Sequence, residues 1–112
     1  NNIERVFIRE DEALSVGNAV TAWNGFIGSY VLGEKGKRAE AVAQEALDAL
    51  KKEDGDVDLH LADQLLVYAA LAEGETKYRT SVLSEHLRTN AYVISKFLGR
   101  KLALEGKLVA VS

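Results

Sequence analysis

Cysteine is absent from all 112 residues. That excludes a disulfide framework, a thiolate metal site and a cysteine nucleophile. It fits an intracellular protein, since small secreted domains usually rely on disulfide staples, and a cytoplasmic location is the expectation. Methionine is also absent and the chain opens on Asn1, so the expectation is a piece of a longer protein. There is no basic-then-apolar leader. The longest apolar run, Leu65 to Ala72, is far too short to cross a bilayer, and no membrane partner is expected. An excess of basic charge is missing too: the net charge is -3 and the pI about 5.4. Sequence-independent duplex binding runs on a basic balance, so that class is disfavoured. Recognition of one nucleotide or one nucleic-acid end needs only a few placed cations and stays open. With two histidines and no cysteine, a zinc site is not expected. A Ser-His-Asp hydrolase would need a nucleophile elbow, and none occurs.

What is present is ordinary for a globular protein, with 47% apolar and 28% charged residues. The length allows one small domain or two partial ones. Ile3 to Arg9 is rich in β-branched and aromatic residues and reads as a strand, with Asp11-Glu12 as a polar break. Asn18 to Trp23 and Phe26 to Leu32 flank Asn24-Gly25, a tight-turn signal, and read as a hairpin. After the loop Gly33 to Lys37, residues Arg38 to Lys52 repeat Ala39, Val42, Ala43, Ala46, Leu47 and Leu50 at helical spacing. Glu53-Asp54-Gly55-Asp56 stops that helix and is the best linker candidate. Leu59 to Ala72 is a second helix, apolar nearly all round and therefore expected to be buried. Lys77 to Leu83 reads as a strand. Thr89-Asn90 offers an N-cap for a helix through Leu98, with Gly99 placed to end it. Leu102 to Leu104 and Leu108 to Val111 read as a closing hairpin. The expected class is α+β, with about three helices and six strands.

Three places can carry chemistry. On the apolar helix, His60, Asp63, Gln64 and Tyr68 fall on one stripe at 3.6 residues per turn. A carboxylate there is costly unless paired. Either Asp63 caps a neighbouring loop while His60 and Gln64 complete a core network, or the stripe lines a cleft. The second place is Ser84 to Asn90, where His86 sits at a strand-to-helix junction. Helix N-termini favour anions, so His86 could attack a phosphate and Arg88 neutralise it. Taken alone, a histidine beside a helix start is more often a surface or capping residue. The third is Gly33-Glu34-Lys35-Gly36-Lys37-Arg38. It has the flavour of a phosphate loop through Lys35 and Lys37 but lacks the GxxxxGK[ST] spacing, and most such stretches are turns before helices.

Taken together, Gly33-Glu34-Lys35-Gly36 before an Ala/Glu-rich helix, Leu61-Ala62-Asp63-Gln64, and His86-x-x-Thr89-Asn90 before Phe97-Leu98 resemble the C-terminal region of the RNA 3'-terminal phosphate cyclases. The resemblance runs from about Gly33 to the end and more loosely before it. Each motif alone is weak; their shared order and spacing is what makes the resemblance specific. It implies the C-terminal part of a fold built from βαβαββ-type units, with residues 1–54 ending an inserted small α+β domain and residues 55–112 forming the last unit of the catalytic domain.

The resemblance implies a ligase of the nucleotidyl-transferase type. His86 attacks the α-phosphate of ATP and is adenylylated, AMP passes to the RNA 3'-phosphate, and the 2'-hydroxyl displaces AMP to leave a 2',3'-cyclic phosphate. Asp63 and Gln64 lie beside the nucleotide phosphates and His60 near the adenosine, where the family often has an aromatic residue. A divalent metal, Mg or Mn, assists, although no residue of this chain is assigned as its ligand. The implied partners are an RNA 3'-phosphate end, the missing N-terminal part of the same protein, and a second copy if apolar faces remain open. The alternative is a cyclase-like protein without activity that serves as a ribosome-biogenesis scaffold. Retention of His86 favours the enzyme. An isolated piece of it should be inactive. If one site is formed, the Asp63–Gln64 turn must face His86, and Asp63 must contact a metal, a donor side chain or a loop N–H.

Overall fold

A computed structural model describes residues 5–7, 14 and 16–112. The chain divides into two units, Asn1–Lys52 and Glu53–Ser112. The order is β1 (Arg5–Phe7), β2 (Ala19–Asn24), β3 (Ile27–Leu32), α1 (Ala39–Lys52), α2 (Leu59–Leu71), β4 (Thr76–Arg79), α3 (Glu85–Leu98), β5 (Leu102–Glu105) and β6 (Leu108–Val111). This is the α+β class expected. The remainder of the expected Ile3–Arg9 strand, and the Asp11-Glu12 break, lie outside the described residues.

In the first unit β1, β2 and β3 form an antiparallel meander. Asn24 pairs with Ile27 across a turn in which Gly25 has φ +60°, a left-handed conformation that glycine adopts at no steric cost. Helix α1 lays Val42, Ala46 and Leu50 on Val20 and Ala22, with Ile27, Val31, Ala43 and Leu47 around them. The Ser29 hydroxyl donates to the Ala46 carbonyl at 2.6 Å, which pins β3 to the helix. The apolar face of α1 is therefore covered within its own unit.

In the second unit the sheet order is β4-β6-β5, antiparallel throughout. Val109 and Val111 alternate inward on β6, while Leu102 and Leu104 alternate inward on β5. Against them pack Ala62, Leu66, Ala69 and Ala70 of α2 and Leu87 and Ala91 of α3. Leu66 and Leu87 are fully buried, each burial stabilising by about 1.5–3 kcal/mol relative to exposure. Asp58 caps α2, accepting from the N–H groups of His60 and Leu61 at 3.0 and 2.9 Å. Helix α2 is nevertheless not buried all round: Val67, Tyr68 and Leu71 are exposed. One sheet and one neighbouring helix cover only part of its circumference.

The segment Glu53 to Asp56, read as a linker, opens the second unit and is tied to it. Asp56 N–H donates to the Arg79 carbonyl at 2.9 Å, and Arg79 N–H donates to the Asp56 carboxylate at 2.8 Å. Lys107 pairs with Asp54 at 2.7 Å and holds the Asp54 carboxyl below its ordinary pKa. The Ser81 hydroxyl donates to Glu53. Val57 bridges Thr80 in parallel. Strand β4 thus ends at Arg79, before the expected Leu83, because the chain past Thr80 turns away toward α3. Gly55 is the close-approach point: a Cβ there would lie 2.6 Å from both the Arg79 carbonyl oxygen and Thr80 Cα. Both are backbone atoms that cannot swing aside. Gly55→Ala is therefore expected to destabilise the second unit by about 1–3 kcal/mol in chemical denaturation, the range for forced overpacking. Gly17→Ala, with nothing within 4 Å of the added carbon, should leave the midpoint unchanged. Equal midpoints for the two variants would refute the close approach.

Tyr78 supplies the second tie. Its buried hydroxyl donates to the Ala62 carbonyl at 2.6 Å, joining β4 to the first turns of α2. Desolvation, and secondarily the Asp63 charge, push its pKa from 10.0 up to about 12. Folding raises this pKa, so the native state holds the phenolic proton more tightly than the unfolded chain. The resulting stability is complete below pH 10 and lost as pH rises through about 12. Tyr78→Phe should cost about 0.5–1.5 kcal/mol at neutral pH and flatten the alkaline decline of stability above pH 10. An unchanged alkaline decline in that variant would remove Tyr78 as its source.

Candidate functional site

Helix α3 begins earlier than the sequence suggested. Ser84 is the N-cap: its hydroxyl accepts from Leu87 N–H at 3.2 Å, and its carbonyl accepts from Arg88 N–H at 3.0 Å. Thr89 and Asn90 are thus inside the helix and do not cap it. The cap position is readable once Leu87, Ala91 and Ile94 are seen as the inward stripe. Gly99 ends the helix in the left-handed conformation as expected, its N–H bonded to Ser95 at 3.1 Å.

The new frame changes who faces whom. His86 is an exposed residue of the first turn. Helix geometry leaves the Glu85 and His86 N–H groups without intrahelical acceptors. Residues two apart on a helix do not share a face, so Arg88 is turned away from His86 and is not placed to neutralise a phosphate beside it. Thr89 and Asn90, three and four residues on, do share its face.

Asn90 reaches across to α2. Its side-chain amide donates to Asp63 Oδ1 at 2.5 Å. Cβ atoms four apart on a helix are separated by about 5–6 Å, so the half-buried Asp63 carboxylate is bonded to the residue one helical turn on from His86. Asp63 is therefore paired with a donor side chain, one of the three alternatives its cost demanded. The stripe of His60, Asp63, Gln64 and Tyr68 is not packed into the core: His60, Gln64 and Tyr68 are exposed. The Val57–Thr80 bridge sits just before the Asp58 cap of α2 and four residues before the Ser84 cap of α3. Both helices consequently start from the same end of the sheet, with His60 and His86 each the second residue of its helix.

The Gly33–Lys37 loop belongs to the first unit and lines a cavity of about 500 Å³ together with Gly17 and Asn18. Gly33 N–H donates to the Asn18 carbonyl at 2.7 Å. Lys37 is paired with Glu45 at 2.7 Å, which leaves Lys35 as the loop's exposed cation at this cavity. Among the described residues no three His, Cys, Asp or Glu side chains cluster closely enough to hold a metal ion, and no helix is long and apolar enough to cross a membrane. The residue that sequence reasoning missed is Asn90 in its contact with Asp63. Its signal was the i, i+4 spacing from His86, hidden by the misplaced helix start.

Residues 18–104 match the family model described as RNA 3'-terminal phosphate cyclase. The match extends upstream of Gly33, through the β2–β3 hairpin. The chain is 45% identical over 103 residues to a protein of Archaeoglobus fulgidus named RNA 3'-terminal phosphate cyclase, covering 89% of this chain and 31% of that one. It is 44% identical over 99 residues to a Methanosarcina barkeri protein of the same name, covering 86% and 30%. A Sulfurisphaera tokodaii relative, also so named, is 45% identical over 85 residues, covering 73% and 24%. The chain thus spans less than a third of the length of these relatives. The match over most of its residues, through both units, means that the chain belongs to the RNA 3'-terminal phosphate cyclase family.

Proposed function

We propose that this chain supplies the nucleophile and part of the nucleotide contacts of an ATP-dependent RNA 3'-terminal phosphate cyclase. The observation that carries the reading is the hydrogen bond from Asn90 to Asp63, which joins the Leu-Ala-Asp-Gln motif to the His-x-x-Thr-Asn motif at the end of the sheet where both helices begin. Residues 1–54 are read as the end of an inserted small domain and residues 55–112 as the last unit of the catalytic domain. The protein is assigned to the cytoplasm, in keeping with its cysteine-free composition.

In the proposed reaction an imidazole nitrogen of His86 attacks the α-phosphorus of ATP. A nitrogen–phosphorus bond forms, the bridging α–β phosphorus–oxygen bond breaks, and pyrophosphate leaves; the imidazole proton goes to solvent. An oxygen of the RNA 3'-phosphate then attacks the same phosphorus, restoring the imidazole. The 2'-hydroxyl finally attacks the 3'-phosphorus, loses its proton and expels AMP. The first-turn amides of α3 favour the negative charge that gathers beside His86. Gln64 and Asp63 are assigned to the nucleotide phosphates and His60 to the adenosine side. Among the described residues no three His, Cys, Asp or Glu side chains form a protein-held metal cage.

The test uses the protein expressed from its own full reading frame, incubated with α-labelled ATP and a divalent metal. Label that is acid-labile and alkali-stable is expected on His86, and His86→Ala should lose it. Because His86 is exposed, that variant should keep its stability within about 0.5 kcal/mol. Undiminished labelling of His86→Ala would remove this residue from the mechanism. A wild type that takes no label would favour the inactive scaffold.

A further expectation concerns the chain alone. Tyr68, Leu71 and Phe97 are 69%, 67% and 83% exposed, and apolar surface of this kind marks contact with other protein. The isolated 112 residues should self-associate in size-exclusion chromatography and should not cyclise RNA. A monodisperse, cyclising monomer would overturn the assignment of these faces to further protein.

A further inference from the structure

We propose that Asn90 is a positioning residue that acts through Asp63. Its side-chain amide holds Oδ1 of the carboxylate at 2.5 Å, fixing the orientation in which Asp63 meets the nucleotide phosphates. This rests on the reading of Asp63 as a nucleotide-side residue. The reason for a fixed orientation is electrostatic. A carboxylate beside a triphosphate is repelled by it and turns away unless a donor or a cation holds it. Tyr78, whose hydroxyl is near enough for the Asp63 charge to raise its pKa, cannot serve, because that hydroxyl already donates to the Ala62 carbonyl. The Asn90 amide takes the role without introducing a charge. Its position on α3 is itself over-determined: Leu87 and Ala91, which bracket it, are buried, and the Ser84 cap sets the helix start. The same rigid helix carries His86 one turn earlier. Asn90 therefore couples the orientation of Asp63 to that of the nucleophile.

An aspartate at position 90 has the shape of asparagine but cannot donate when ionised, and it would set a second carboxylate against Asp63. Asn90→Ala merely releases Asp63. Both changes are at an exposed site, so circular dichroism should be unchanged.

The experiment measures single-turnover labelling by α-labelled ATP in the protein expressed from its full reading frame. Asn90→Ala and Asn90→Asp should each raise the half-saturating ATP concentration by about tenfold or more, the scale of one lost charge-assisted hydrogen bond. Adding Asn90→Ala to Asp63→Ala should cost nothing further, because the partner is already gone. The exchanged pair, Asp63→Asn with Asn90→Asp, restores a donor and an acceptor with the charge on the wrong helix. It should recover thermal stability and not labelling.

Wild-type labelling by Asn90→Ala overturns the proposal, as does a loss that is undiminished in the Asp63→Ala background, which would show an action independent of Asp63. Recovery of labelling by the exchanged pair also overturns it, since a structural tie alone would then suffice. If the wild type takes no label, the proposed reaction itself fails and the positioning role fails with it. A labelled wild type with an indifferent Asn90 sinks only the positioning role.

Discussion

The parallel pairing of Val57 with Thr80 governs the geometry of the second unit. Helices α2 and α3 are separated in the chain by β4, and nothing within either helix decides where its N-terminus lies relative to the other. Pairing the residue that precedes the α2 cap with the residue that follows β4 settles the matter, since α3 is capped only four residues later. The approach is closer than any side chain at position 55 would permit. Tyr78 then adds a bond from mid-strand to the opening turns of α2, so the helix can neither slide nor rotate without breaking a buried hydrogen bond. Such a bond is worth modestly more than its replacement by water.

From that constraint follows a segregation along the two helices. Their N-terminal halves carry His60, Asp63 and Gln64 on α2 and His86, Thr89 and Asn90 on α3. Their C-terminal halves carry exposed Val67 and Leu71, and exposed Val93 and Phe97. The inward stripes are complete and well buried, so the outward apolar residues are not a failure of folding within the unit. They are surface in excess of what a three-stranded sheet can cover.

Much of this was legible in the residues. Asn24-Gly25 between two β-rich runs identified the hairpin, and the 3.6 period of Val42, Ala43, Ala46, Leu47 and Leu50 identified α1 and its inner face. Gly99 ended α3 where expected, and the turn at Gly106-Lys107 ended β5 one residue past the expected Leu104. The misreadings share a physical cause. Helix α2 is apolar nearly all round, so its composition says that it must be covered without saying by how much of this chain. Thr80 to Leu83 has strand composition, but a strand continues only where a neighbour offers its backbone, and past Thr80 the chain leaves the sheet. At α3 the cap was expected at Thr89-Asn90, whereas Ser84 holds it. The burial of Leu87 decided between them, and burial is a tertiary property that local propensity does not contain.

The five-residue error in the α3 start illustrates how a local boundary controls a chemical reading. If Thr89 capped the helix, residues 86–88 would be extended or turned, and Arg88 would be a reasonable companion for a phosphate at His86. With the helix begun at Glu85, successive residues rotate by about 100°, and Arg88 is carried to the far side while Asn90 returns to the face of His86. A cation is thereby replaced by a neutral amide as the nearest helical neighbour of the proposed nucleophile. An arginine there would draw Asp63 into an ion pair. An asparagine holds the carboxylate by one bond and leaves its charge, and its second oxygen, available. Which residues of α3 share the face of His86 is thus a consequence of where Ser84 caps it, and the cap in turn is fixed by the burial of Leu87 against the core that the Val57–Thr80 pairing organises.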